Sequence, residues 1–180
     1  MGAKTAISVE EYLRTSYPGL DREFREGEVL ERALPDYLHS RTQVPLAALF
    51  VAVQRALDLY ACAELRLQLA PGLYRIPDIS VFQSRPRTPP DSPPFIAIEI
   101  LSPDDRMSEV RAKLEEYRQW GVPHVWLVDP HAKRMYTCED PLTEVPTLRI
   151  PELNLEVKPR KSSQGSQAKR HFRIAAIPTR

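Results

Sequence analysis

The sequence predicts an α/β (α+β) fold, a mixed central sheet flanked by helices. Three observations carry that expectation. Phe95-Ile96-Ala97-Ile98-Glu99-Ile100-Leu101 is a short apolar run interrupted by one carboxylate, the pattern of a strand covered on both faces. The segment that follows, up to Trp120, spaces Met107, Val110, Leu114 and Tyr117 as one face of a helix. His124-Val125-Trp126-Leu127-Val128 then reads as a second covered strand. Strand, helix and strand in that order call for a sheet with helices packed on it.

The remaining elements follow from local patterns. Ser8-Val9-Glu10-Glu11 is a capping box, with Ile7 and Tyr12 placed as a hydrophobic staple, so a short helix begins there. Glu23 to Leu34 reads as a hairpin turned at Gly27. From about Asp36 to Tyr60 the apolar residues Leu49, Phe50, Val53 and Leu57 recur at helical spacing, and Pro45 must start or kink that helix. Glu64 to Leu69 alternates, with Leu65, Leu67 and Leu69 on one face, as a half-buried strand does. A second strand is expected over Tyr74 to Phe82. The five prolines between Pro86 and Pro94 mark a surface loop. Ser102-Pro103-Asp104-Asp105 opens the helix that ends at Trp120, and Gly121 suits its left-handed terminal position. Weaker strands are expected over Met135 to Cys138, Leu148 to Ile150 and Leu153 to Val157. There is no internal repeat.

At 180 residues, 42% hydrophobic and 27% charged, the chain suits one globular domain that needs no disulfide or metal staple. Two cysteines, Cys62 and Cys138, are too few for a disulfide framework and fit a reducing, cytoplasmic setting. The longest apolar run, Leu46 to Val53, is far short of the ~20 residues of a membrane helix. The N-terminal stretch lacks the apolar centre of a signal peptide, so neither membrane nor secretion is expected. Charge is uneven. Lys158 onward carries seven basic residues and no acidic one, whereas residues 1–157 hold 18 basic and 24 acidic residues, a net of −6. The expected organisation is a domain over 5–157 and a basic C-terminal tail over 158–180, flexible across Ser162 to Gln167.

Glu99 stands out chemically. A carboxylate inside an apolar strand costs several kcal/mol unless a cation, donors or a proton compensate it. Asp78 follows Pro77 in the preceding strand, 21 residues earlier, and the proline-rich loop lets the two strands return side by side. Two carboxylates meeting at one sheet end, with carbonyls and water, suit Mg²⁺. The plainer alternative is a pair of strand-end residues in ordinary salt bridges. Lys113 flanks the apolar stripe of the next helix, from which its amine could reach over the sheet end; otherwise it pairs with Glu109 one turn away. His39 suits a base or a phosphate contact, or simply a cap at a helix start. Arg75 and Arg106 flank the expected site as possible phosphate contacts. Among other chemistries, His124, His131 and His171 share no zinc-ligand spacing with the cysteines. No glycine-rich phosphate loop and no nucleophile elbow is present.

Asp78, then Glu99-Ile100-Leu101-Ser102-Pro103, then Lys113 resembles the PD-(D/E)XK nuclease superfamily, and within it the Uma family of restriction endonucleases. Glu23-Phe24-Arg25-Glu26-Gly27-Glu28 is similar to that family's N-terminal Glu-Leu-Ile-Asp-Gly-Glu, and His39 to its downstream histidine. Lys113, Tyr117, Gly121-Val122 and His124 to Asp129 are similar to its closing stretch, so the resemblance spans roughly residues 5–157. It implies a restriction-endonuclease-like core with a metal site at one end of its sheet. Asp78 and Glu99 would be ligands of Mg²⁺ (or Mn²⁺), Lys113 the catalytic lysine and Glu23 an accessory acid. One departure from the superfamily is Leu101, two residues after the glutamate, where a lysine is usual; in the Uma pattern the lysine comes from the next helix, which is Lys113. The implied function is an endonuclease hydrolysing DNA, working as a homodimer. The alternative is a catalytically inactive nucleic-acid-binding or protein-interaction module on the same fold.

Overall fold

As a computed structural model, the protein is described over residues 6–139, 141–159 and 172–176. The Ser8 cap opens helix α1 (Val9–Arg14), its hydroxyl accepting from the Glu11 N–H at 3.0 Å. Strands β1 (Glu23–Arg25) and β2 (Glu28–Leu30) form the expected hairpin. Its turn residues Glu26 and Gly27 both have positive φ, 48° and 89°, as a two-residue hairpin turn of matching twist requires. Gly27 is needed twice over, since a Cβ there would stand 3.0 Å from that of Ala6.

Helix α2 (Tyr37–Leu57) starts at an Asp36 cap that accepts from the His39 N–H at 2.8 Å, and it carries Pro45 in its interior. Asp58, at φ 50°, ends it. The chain then forms β3 (Tyr60–Ala63), β4 (Leu67–Ala70), β5 (Leu73–Arg75), β6 (Ile79–Phe82) and β7 (Ile96–Ile100). Helix α3 (Met107–Trp120) closes on Gly121 at φ 99° and leads into β8 (His124–Asp129). β9 (Arg134–Cys138), β10 (Leu142–Glu144), β11 (Leu148–Ile150), β12 (Leu155–Pro159) and β13 (Phe172–Ala176) complete the described chain.

The main sheet has the order β10-β9-β8-β7-β6-β3, with β7 and β8 parallel and the other pairs antiparallel. A four-stranded sheet, β2-β1-β5-β4, and a three-stranded sheet, β11-β12-β13, adjoin it. Strand pleat divides the core between the faces of the main sheet. Ile79, Val81, Ile96, Ile98, Trp126 and Val128 pack with Leu46 and Phe50 of α2. Ala97, Val125 and Leu127 pack with Val110, Leu114 and Tyr117 of α3. A smaller cluster of Tyr12, Phe24 and Tyr74 ties α1 to the four-stranded sheet, Tyr12 and Phe24 stacking at 4.9 Å.

Several expected boundaries are corrected. The single strand over Tyr74 to Phe82 is two strands in two different sheets, because Pro77 has no N–H to give a ladder and the Ile76 N–H goes instead to Glu23 Oε1 at 3.0 Å. The helix expected to reach Tyr60 stops at Leu57, and Tyr60 joins β3 as an edge strand on β6. The strand expected from Glu64 begins at Leu67, since Glu64 has φ 51° and spends its N–H on the Asp78 carbonyl at 3.3 Å. Ser102 to Asp105 is a turn rather than the first helical turn, Asp105 accepting from the Ser102 N–H at 2.7 Å, and Met107 lies 40% exposed, off the buried stripe. The strands β10 and β13 were not expected; β13 pairs with β12 within the segment read as a tail. Ser162 to Gln167 and the basic residues around them lie outside the described residues. Among the described residues no helix is long and apolar enough to cross a membrane.

Phe50, fully buried against Trp126 at a ring separation of 6.3 Å, sits beside Val51, which is 48% exposed. Phe50→Ala is expected to cost about 3–5 kcal/mol in urea unfolding and Val51→Ala less than about 0.5 kcal/mol, so equal costs would contradict the placement of α2 on the sheet.

Candidate active site

The break at Pro77 sets the site. Asp78 leaves the turn immediately before β6, and Ile79 pairs with Ile98, so Asp78 comes level with Glu99 on β7. By pleat, Glu99 shares the α3 face with Ala97, and there it meets the helix instead of apolar neighbours. Lys113, on the second turn of α3, is within 2.9 Å of Glu99 Oε1 and donates to Oε2 at 3.1 Å. The same ammonium stands 2.7 Å from Glu23 Oε1 and donates to the Ile76 carbonyl at 3.3 Å. Tyr117, one turn further along α3, donates its hydroxyl to Glu99 Oε1 at 2.8 Å. Lys113 therefore turns inward to the carboxylates, and Glu109 pairs with Arg106 instead.

Each carboxylate has its own retinue. Glu23 accepts from Arg75 at 2.7 Å and from the Ile76 N–H at 3.0 Å, and Arg75 also forks onto Glu116 at 2.7 and 3.1 Å. Asp78 Oδ2 accepts from the Ile100 N–H at 2.7 Å and faces His39 Nε2 at 3.2 Å. Asp78 Oδ1 takes a bond from Arg32 at 3.1 Å. Gln43 of α2 donates to the Asp78 carbonyl at 3.1 Å and to Glu64 at 3.3 Å.

Electrostatics follow from this packing. Burial pushes the Glu99 carboxyl up, to about 7; Lys113 pulls against it, while Asp78 and Glu23 push with it. Burial would lift Glu23 too, but the charges of Lys113 and Arg75 hold it below the ordinary carboxylate value. Burial works against the Lys113 ammonium, yet Glu23, Glu99 and Asp78 outweigh it and keep it protonated well beyond neutral pH. For His39, burial opposes the charged form, but the hydrogen bond and charge of Asp78 hold its pKa above the usual value.

Glu23, His39, Arg75, Asp78, Glu99 and Lys113 thus converge, whereas Arg106 stays outside at the start of α3, 80% exposed. Arg75 is committed to Glu23 and Glu116. Arg32 and the Tyr117 hydroxyl were not anticipated as site groups. Tyr117 reads as core from its spacing, and Arg32, in the link between β2 and α2, carries no sequence signal at all. Among the described residues no three His, Cys, Asp or Glu side chains form a ready metal cage. The donor chemistry nonetheless suits a hard cation. Asp78 Oδ1 and Glu99 Oε2 each take one donor in the structure, leaving one lone-pair direction open on each oxygen.

Compared with family models, residues 9–165 match Uma2, described as "Putative restriction endonuclease". Among solved structures, a chain from Anabaena variabilis ATCC 29413, described as "a putative nuclease belonging to DUF820", aligns with a TM-score of 0.69 at 24% identity, covering 81% of this chain and 90% of that one. This likeness bears on the fold, a mixed α+β architecture. No curated protein matches.

Lys113 is the cation shared by two buried carboxylates, so Lys113→Met is expected to lower unfolding free energy by about 3–5 kcal/mol. Adding Glu99→Gln to that variant should restore at least about 1 kcal/mol, because the two changes touch one network. A double-mutant cycle by chemical denaturation checks both, and strictly additive losses would contradict the network.

Proposed function

The chain belongs to the Uma2 family, and on that premise we propose that it is an Mg²⁺- or Mn²⁺-dependent endonuclease hydrolysing DNA phosphodiester bonds. The observation that carries this reading is the Lys113 ammonium within hydrogen-bond reach of both Glu23 and Glu99, beside Asp78 on the adjoining strand. Asp78 through Oδ1 and Glu99 through Oε2 would hold the divalent ion. When bound, such an ion polarises a phosphodiester and makes a neighbouring water more acidic.

The chain's own groups supply the rest. Lys113 remains protonated, orients the attacking water and offsets negative charge building on the phosphate. Glu23 keeps Lys113 in place and is in turn held by Arg75 and the Ile76 N–H. The Tyr117 hydroxyl fixes the Glu99 carboxylate in one orientation. His39, with Nε2 on Asp78, is in position to steady that ligand or to meet a phosphate oxygen. Arg75 and Arg106 are weaker phosphate contacts, the first paired and the second remote.

The domain of 5–157 would carry the chemistry, and the basic residues from Lys158 on would add affinity for the polyanion against a body of net −6. A homodimer would present two such sites to two strands. A content of only two cysteines, Cys62 and Cys138, accords with a cytoplasmic setting. A non-catalytic nucleic-acid-binding module remains the second reading. The observation favouring it is that Asp78 already takes two donors and a histidine contact.

In a plasmid-cleavage assay, the wild type is expected to nick or linearise DNA with Mg²⁺ or Mn²⁺ and to stop when the ion is chelated. Asp78→Ala and Lys113→Ala should each lower the rate by about a hundredfold or more. Wild-type inactivity with both ions, alongside retained DNA binding, would favour the non-catalytic module. Retention on immobilised DNA should also fall steeply between low and moderate salt, and salt-insensitive retention would count against contacts made by the basic segment.

A further inference from the structure

The three carboxylates of the site face three cations: Lys113 on Glu23 and Glu99, Arg75 on Glu23, and Arg32 on Asp78. The Arg32 arrangement differs from the other two. Arg75 makes three well-formed hydrogen bonds, its Nε, Nη1 and Nη2 all engaged. Among the described residues Arg32 makes one hydrogen bond, from Nη2 to Asp78 Oδ1 at 3.1 Å. Its Nη1 has no hydrogen-bond acceptor although the side chain is only 10% exposed, and its nearest charge is Glu64 Oε2 at 3.7 Å. His39, whose Nε2 faces the same carboxylate, likewise has a buried Nδ1 with no hydrogen-bond partner among the described residues. A guanidinium offers five donors, so one bond leaves it poorly satisfied, and it stays by charge attraction rather than by a fitted cradle.

The oxygen it holds is the one that matters. Asp78 Oδ2 already meets the Ile100 N–H at 2.7 Å and His39 Nε2 at 3.2 Å, which fills both of its lone-pair directions. A cation arriving at Asp78 can reach only Oδ1, beside or in place of Arg32. We propose that Arg32 is a resident counter-cation on Asp78 that competes with a divalent ion for Oδ1, a positioning residue that sets how tightly the site takes such an ion. The inference rests on the reading of Asp78 as a cation ligand and adds the residue that opposes it. Without Arg32 the buried Asp78 carboxylate would lack its guanidinium partner. With it, each of the three carboxylates has at least one cationic partner.

The test is titration of Mn²⁺ into the metal-free full chain by isothermal calorimetry, with circular-dichroism melts establishing that each variant folds. Arg32→Gln is expected to bind Mn²⁺ about tenfold or more tightly than the wild type, one unit charge at this range being worth more than a decade. Arg32→Lys, which keeps the charge, should stay near the wild type, and Asp78→Asn added to Arg32→Gln should remove the gain. Wild-type binding with no tightening in Arg32→Gln overturns this inference alone. Absence of binding in every variant overturns the metal reading of the site and this inference together. Arg32→Met is a second neutral variant, and failure of both neutral variants to fold overturns the proposal in favour of a purely structural arginine.

Discussion

One ammonium group, that of Lys113, is the constraint on which the site depends. Glu23 from the hairpin and Glu99 from the main sheet are both buried, and its charge stands within hydrogen-bond reach of both. Because the amine also bonds the Ile76 carbonyl, it ties α3 to β1, to β7 and to the break between β5 and β6. Three sheet segments and a helix thus share one polar junction. The cost of burying charge is met by mutual pairing, with Tyr117 and the Ile76 N–H supplying the remaining hydrogen bonds.

The junction exists because the chain is interrupted at the right place. Pro77 cannot donate to a ladder, so the extended segment on either side of it divides between two sheets. Asp78 is released at the fork. Its side chain takes the Ile100 N–H, and its carbonyl takes Gln43 and the Glu64 N–H. A continuous strand through these residues would have been simpler to build, but it would have sent Asp78 into a ladder rather than to the end of β7. The acidic surroundings then draw in cations from three segments of the chain, which is why Arg75, Lys113 and Arg32 all turn inward.

Much of this was legible beforehand, in particular places. The covered strands β7 and β8 and the helix between them follow from apolar runs and from Gly121, because burial on both faces and a left-handed terminus leave distinct residue patterns. The hairpin at Gly27 and the Ser8 cap follow from turn and cap chemistry, which is local. Glu99 drew notice because a carboxylate in such a run has to be compensated. What misled was the segment from Glu64 to Phe82. Its alternation suggests strands of ordinary length, whereas a positive φ at Glu64 and the proline break at 77 shorten and separate them. Arg32 was invisible for a related reason: a charged residue in a connecting segment looks like any solvated loop side chain.

Sequence by itself determined the secondary-structure kinds, the two faces of the central sheet, and the list of carboxylates and the lysine, since these rest on periodicity, burial cost and short-range chemistry that each stretch of chain carries alone. Tertiary structure alone decided which cation stands on which carboxylate. Arg32 lies 46 residues from Asp78, and Lys113 lies 90 from Glu23, so their pairing depends on strand register, on the break at Pro77 and on the rotation of α3. Pairings across such distances are set by the packing of whole elements, and no local pattern can encode them.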